Sequence, residues 1–178
     1  MISEVSYPNE NEIKTRAIAA ICRLYCHDQD LLDVEVNERT ITHKLAEYLQ
    51  DEFPEWHVDC EYNRWYEQVK KLRIREWHSS PDDTEARTVS PVMIVHRRRT
   101  DQNLIVLEVK KASGIAETHD IEKLRAFTGE PEYRYRLGLF LRIGTNLDPE
   151  LRVFKEGQEV GSWTKDLKRA LGELGHDG

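Results

Sequence analysis

The sequence lacks any long hydrophobic run. None of its apolar stretches approaches the ~20 residues that a membrane-spanning helix needs. The amino-terminal segment MISEVSYPNENEIK also lacks the basic start and the apolar centre of a signal peptide. We therefore expect no membrane association and a cytoplasmic location.

Cysteine is scarce, with three residues at Cys22, Cys26 and Cys60. A small, odd number in a cytoplasmic chain favours free and mostly buried thiols over disulfides. Cys22, Cys26 and His27 are close in sequence, but a structural zinc site takes four ligands and no second pair follows. The spacing instead fits two cysteines one helical turn apart that pack against the core.

The chain also lacks an excess of positive charge. Its 26 Lys and Arg residues face 33 Asp and Glu residues, which gives a net charge of −7. This balance argues against a protein that coats nucleic acid non-specifically. Residues 31–61 carry nine acidic and two basic residues and so account for the whole net charge, whereas 62–80 and 94–111 each carry +3. The sequence therefore allows a localised, salt-sensitive contact with phosphate.

What is present indicates one folded domain. The 178 residues are 39% apolar, 33% charged and 8% aromatic, with no internal repeat, and a chain of this length can bury a sizeable core. We expect a single domain over 1–178, with a helical arm over 9–35, a core over 36–143 and an extension over 144–178.

Hydrophobic periodicity gives the order of the elements. A period near 3.6 predicts helices over 9–28, from Asn37 to before Pro54, over 117–128 and over 165–174. Strand patterns cover 57–63, 89–96, 103–111 and 133–143, with a weaker pair within 151–164, and 29–35 is expected to be a connection. Three strands, a helical crossover and a fourth strand predict an α/β fold with a mixed central sheet flanked by helices.

Two charged residues end an otherwise apolar strand. Glu108 and Lys110 are two residues apart, so they share one face of the strand, with Leu104 and Val106 behind them. A carboxylate at the rim of a sheet can hold a divalent metal, and a neighbouring lysine can orient water or offset the charge of a phosphate. The same pair also fits a solvated end of a strand.

Several sequence blocks occur together around this pair. In order they read NERTITHKLAEYL at 37–49, DCEYNR at 59–64, SPVMIVHRR at 90–98, NLIVLEVKK at 103–111, KLRAFT at 123–128 and YRYRLGLFLR at 133–142. Over 36–143 the chain resembles the PD-(D/E)XK superfamily of nucleases with the restriction-endonuclease-like fold, and more narrowly a group of small bacterial proteins with that fold. The resemblance implies a core of helix, three strands, helix and strand, the order given by the periodicity.

The resemblance also implies roles for individual residues. Glu108 matches the acidic metal ligand on the third strand, Lys110 the catalytic lysine, and Glu38 the acidic residue often present on the first helix. Together they would bind Mg²⁺ or Mn²⁺ and hydrolyse a phosphodiester bond in DNA or RNA.

One position departs from the family pattern. Pro91 is followed by Val92, where the family has its central metal-binding Asp, and valine cannot bind a cation. Asp82 also follows a proline, but it precedes no apolar strand. Glu61 and Asp59, on the neighbouring strand, are better placed to substitute, although both also fit a solvated face of the sheet.

Basic residues near the strand ends are candidate contacts for nucleic acid, DNA rather than RNA. The set is Arg97, Arg98, Arg99, Lys111 and His96. The three arginines fit a solvated hairpin tip equally well, and His96 also fits a rim histidine with a structural partner.

Two hypotheses follow. The first is a metal-dependent nuclease that uses Glu108, Lys110, Glu38 and Glu61. The second is an inactive nuclease-fold module that binds nucleic acid, or a protein partner or second copy in a bacterial assembly of the defence type. Val92 and the net acidity favour the second.

Overall fold

The computed structural model describes most of the predicted elements. It covers residues 7–33, 38–61, 64–65, 68–69, 93–111, 117–144 and 148–174. Most of 62–92 lies outside the described residues, including Asp82, Pro91 and Val92. Asn37, where the second helix is predicted to begin, lies outside them as well.

The described residues form five helices. Their bounds are α1 Glu10–His27, α2 Gln29–Asp33, α3 Glu38–Glu52, α4 Glu117–Gly129 and α5 Thr164–Leu174. Helix α1 begins with a capping box, in which the Asn9 side chain accepts from the backbone N–H of Glu12 and the Glu12 carboxylate accepts from that of Asn9. This reciprocal bonding satisfies N–H groups that have no partner within the helix. None of the helices in the described part of the chain is long and apolar enough to cross a membrane.

The strands in the described part of the chain form one mixed six-stranded sheet and a small two-stranded one. Their bounds are β1 His57–Cys60, β2 Arg64–Trp65, β3 Gln68–Val69, β4 Met93–His96, β5 Asn103–Lys111, β6 Leu137–Ile143, β7 Glu150–Lys155 and β8 Gln158–Ser162. The main sheet has the order β1-β4-β5-β6-β7-β8, and β2 pairs with β3. Among the strands of the described residues only β5 and β6 are parallel, and they are joined through α4. The predicted α/β fold with a mixed sheet is thus confirmed.

The two faces of the sheet are covered by different helices. One face packs against α1, α3 and α5, whose Leu24, Leu45 and Leu167 share a core with apolar residues of β5 and β6. The other face packs against α4 through Val106, Phe140 and neighbouring apolar side chains. The arm and the extension therefore belong to the same core as the sheet.

Three sequence-based boundaries are wrong. The segment predicted as a connection contains the short helix α2. The strand predicted over 57–63 ends at Cys60, where Glu61 adopts a left-handed backbone with φ of 49°. The strand predicted from 133 begins at Leu137, and Arg134, with φ of 42°, lies in the loop before it. Left-handed residues interrupt a strand because their backbone cannot continue the pleat.

Candidate functional site: a lysine–carboxylate cluster

Strand β5 places Glu108 inside the protein. Val106 and Glu108 are on the face covered by α4, as the period of two requires, whereas Leu104 belongs to the opposite core. The Glu108 side chain is 0% exposed, and its Oε1 lies 2.8 Å from Nζ of Lys123 on α4. A buried carboxylate needs such a partner, since burial of an isolated charge is very costly.

Lys123 joins Glu108 to a second carboxylate. Its Nζ lies 3.0 Å from Oδ1 of Asp120, one turn earlier on α4, and its side chain is only 9% exposed. Burial lowers the pKa of Lys123, but attraction and hydrogen bonding by Glu108 and Asp120 outweigh that effect and leave its pKa above the usual value. Lys123 is therefore a buried ammonium at neutral pH.

Lys110 occupies the outer side of the same group. Its Nζ lies 3.4 Å from Asp120 Oδ2 and 3.8 Å from Glu38 Oε2, and 24% of its side chain is exposed. Glu38, the first residue of α3, also accepts from the backbone N–H of Lys111 at 3.4 Å. The three predicted residues Glu38, Glu108 and Lys110 are thus brought to one edge, linked through Asp120 and Lys123.

We call these five residues the lysine–carboxylate cluster: Glu38, Glu108, Lys110, Asp120 and Lys123. Three carboxylates and two ammonium groups give the cluster a formal charge of −1. His119 lies beside it, and burial followed by the charge of Lys123 lowers the pKa of this histidine.

The cluster does not fit a divalent metal as it stands. In the described part of the chain, no group of three or more His, Cys, Asp or Glu side chains could hold a metal ion. Glu108 is fully buried and shares an ammonium with Asp120, so it offers no exposed oxygen to a hydrated ion. Mg²⁺ usually keeps several waters when it binds protein carboxylates.

Glu61, the predicted substitute ligand, is placed elsewhere. It is 60% exposed and lies 3.3 Å from Arg39 on α3. Both residues line a groove of about 380 Å³ between α3 and the ends of β1 and β5, whose wall also includes Glu38. Glu61 therefore shares the groove with Glu38, but its charge is directed to Arg39.

Asp59 holds two of the predicted nucleic-acid contacts. Its Oδ2 lies 2.8 Å from Nε2 of His96 and accepts from Nε of Arg98 at 2.8 Å, and Arg98 also donates to Oδ1. Burial raises the pKa of Asp59, but the bonds from Arg98 and His96 hold it well below the usual range. His96 therefore has a structural partner, which was one of the two interpretations of this residue from the sequence. The contacts of Asp59 with His96 and Arg98 also link β1 to β4 and the hairpin that follows it.

The basic hairpin lies at the other end of β5 from Lys110. His96 pairs with Asn103, at the start of β5, and Arg97 stacks over the ring of Trp56 with its Cζ 4.7 Å from the centroid. The rise of about 3.3 Å per strand residue separates Asn103 from Glu108 by about 17 Å. Arg97, Arg98 and Arg99 therefore do not surround the cluster, whereas Lys111 does adjoin it.

Sequence reasoning missed Asp120 and Lys123. The available signal was their three-residue spacing on a predicted helix, where each directly precedes an apolar core position, Ile121 or Leu124. From the sequence alone, this spacing indicates an ion pair on the helix surface. Only the packing of α4 on β5 shows that Asp120 and Lys123 face Glu108.

The cysteines form no site. Cys22 is buried, and desolvation raises its pKa to about 11, which keeps the thiol protonated. Cys26 and Cys60 are exposed, so the expectation of mostly buried thiols is wrong for both.

Comparison with known proteins adds no relative. No family model matches the chain, and no curated protein matches it.

Proposed function

We propose that the chain is a restriction-endonuclease-like module that binds the phosphodiester backbone of nucleic acid at the lysine–carboxylate cluster without hydrolysing it. The observation that carries the proposal is Lys123, which places an ammonium between Glu108 and Asp120, where a hydrolase would need free carboxylate oxygens. The order α3, β1, β4, β5, α4, β6 supports it, because it contains the sequence helix, three strands, helix and strand of that fold.

Lys110 is the phosphate contact in this proposal. Tight ammonium–carboxylate pairs have N···O distances of about 2.7–2.9 Å. Lys110 instead lies 3.4 Å and 3.8 Å from its two carboxylates and remains partly exposed. Its ammonium can therefore turn outward to a phosphate at little cost, while Lys123 keeps Glu108 and Asp120 compensated.

Binding measured by fluorescence anisotropy tests the proposal. Labelled DNA, double- and single-stranded, is titrated with the parent and with Lys110→Gln, in EDTA and over a range of salt. We expect Lys110→Gln to weaken binding by about tenfold, as for loss of one charge-assisted hydrogen bond. The plot of log K against log salt should become less steep by about one unit, as expected for the loss of one phosphate contact.

Lys168→Gln is the matched control, because Lys168 pairs with Asp148 on the exposed side of α5. It removes the same charge and should leave the affinity within about twofold. Equal affinities of the parent and Lys110→Gln for every DNA and RNA tested would contradict the proposal.

Metal-dependent hydrolysis is the second candidate. It is favoured by Glu108 and Lys110, which lie two residues apart at the end of β5, as the family resemblance implies. Parent, Val92→Asp and Lys110→Ala are incubated with labelled DNA and RNA in Mg²⁺ or Mn²⁺. Cleavage by the parent that Lys110→Ala abolishes would favour hydrolysis over binding alone. Cleavage by Val92→Asp only would locate the defect at position 92.

A further inference from the structure

The buried ammonium of Lys123 has the position and the surroundings of a bound cation. It lies within 3.0 Å of oxygens of two carboxylates that come from different elements, Glu108 on β5 and Asp120 on α4. The carboxylate side chains are 0% and 5% exposed, so both depend on an internal positive charge. Lys110 also reaches Asp120, but it is farther away, at 3.4 Å against 3.0 Å, and more exposed than Lys123.

We propose that Lys123 is a built-in substitute for a divalent cation, and that removing its ammonium turns Glu108 and Asp120 into a binding site for Mn²⁺ or Ca²⁺. This does not depend on whether the protein binds nucleic acid. The site is latent in the parent because a covalently attached ammonium competes at a very high effective concentration with any free ion.

The geometry permits the exchange with small movements. The ammonium–oxygen distances are 2.8 and 3.0 Å, and Ca²⁺ binds carboxylate oxygens at about 2.3–2.6 Å, so each carboxylate would move by less than about 1 Å. Truncation of the lysine side chain also frees space for the waters that complete the coordination shell of the ion.

The charge balance favours the exchange as well. With Lys123 neutralised, the lysine–carboxylate cluster carries three carboxylates against Lys110 alone, a formal charge of −2. A divalent cation would restore neutrality. Lys110 would still be held by Asp120 Oδ2 and Glu38, so its contacts would not need to change.

Manganese binding to purified protein is the direct test. The parent, Lys123→Ala, Lys123→Gln and the control Lys168→Ala are titrated with Mn²⁺, and free Mn²⁺ is followed by electron paramagnetic resonance. Thermal unfolding is recorded in parallel with Mn²⁺, with Ca²⁺ and with EDTA. A further variant, Glu108→Gln with Lys123→Ala, removes a carboxylate from the created site.

We expect both Lys123 variants to bind one Mn²⁺ at least about tenfold more tightly than the parent and Lys168→Ala do. The metal should raise their unfolding temperature and not that of the parent. The Glu108→Gln, Lys123→Ala variant should lose this gain. A Lys123 variant that folds only with Mn²⁺ or Ca²⁺ supports the proposal equally.

Three outcomes would overturn it. The first is a parent that binds Mn²⁺ as tightly as the Lys123 variants. The second is folded Lys123 variants with no gain in metal affinity. The third is variants that fail to fold both with and without metal, because the ion then cannot replace the ammonium. The first outcome would also favour the hydrolytic candidate, because the parent would then hold a metal. The second and third leave the proposed function to its own test, the DNA affinity of Lys110→Gln.

Discussion

The pair formed by Glu108 and Lys123 should contribute to stability in a strongly non-additive way. Lys123→Met removes the ammonium and leaves Glu108 and Asp120 buried without it, whereas Glu108→Leu leaves Lys123 with Asp120 at 3.0 Å. The two single substitutions are therefore unequal, and the lysine change should cost more.

The size of the effect follows from burial. The side chains are 0% and 9% exposed, so solvent screening is small. Breaking a buried pair by removing one partner costs about 3–5 kcal/mol. We expect a loss of this size for Lys123→Met, which corresponds to a fall of about 6–20 °C in unfolding temperature for a domain of this length. The double variant, in which two apolar side chains replace the pair, should be more stable than Lys123→Met alone.

Urea unfolding followed by circular dichroism measures the four corners of this double-mutant cycle. The free energies of unfolding of the parent, both single variants and the double variant give the coupling between residues 108 and 123. Lys168→Met is the matched control, since its exposed pair with Asp148 should contribute no more than about 1 kcal/mol.

Two results would refute this reasoning. One is a Lys123→Met variant as stable as Lys168→Met, which would mean that Glu108 and Asp120 do not need the ammonium. The other is additive costs in the double variant, which would mean that the two side chains act independently. Either result would also remove the basis for treating Lys123 as a substitute cation.

Two further predictions concern the rest of the fold. Burial favours protonation of Asp59, yet bonds from Arg98 and a neighbouring histidine depress its pKa. Stabilisation by Asp59 is therefore present above its unfolded pKa of about 3.9 and lost as pH falls towards the folded value. Urea titrations at a series of pH values should show that the free energy of unfolding falls more steeply with decreasing pH in the parent than in Asp59→Asn. Separately, a Cβ at Gly144 would lie 1.9 Å from the carbonyl oxygen of Asp148, whereas at Gly161 it would meet no described atom within 4 Å. Gly144→Ala should lower the unfolding temperature by several degrees, and Gly161→Ala should leave it within about one degree.

Local patterns in the sequence were enough to predict most elements. The apolar stripe of α1 predicts that helix, and α4 and the β7–β8 pair lie where the periodicity predicts them. What failed were the boundaries set by the left-handed residues Glu61 and Arg134. Neither is glycine or asparagine, so composition gives no sign that the strand pattern stops there.

The residues of the candidate site on β5 and α3 were predicted from the sequence, whereas those on α4 were not. Glu108 and Lys110 share a rim because a strand has a period of two, which the sequence states directly. Asp120 and Lys123 join them because α4 packs back over β5 after a crossover, and the angle of that packing depends on contacts distant in sequence. Burial of Lys123 is thus a tertiary property that no local pattern contains.

Closeness in sequence also misled about which charges act together. Arg99 is nine residues from Glu108, yet the hairpin lies at the opposite end of β5, about 17 Å away along the strand. Lys110 lies seven residues, or about 23 Å, from Asn103 along β5. A DNA duplex rises about 3.4 Å per base pair, so one duplex lying along β5 would have to span about seven base pairs to contact both Lys110 and the hairpin. In addition, Arg98 donates to both carboxylate oxygens of Asp59 on β1. Lys110 and the hairpin arginines therefore need not serve the same ligand, and the positive charge that bears on the proposed function is that of Lys110 and the adjoining Lys111 rather than that of Arg97, Arg98 and Arg99.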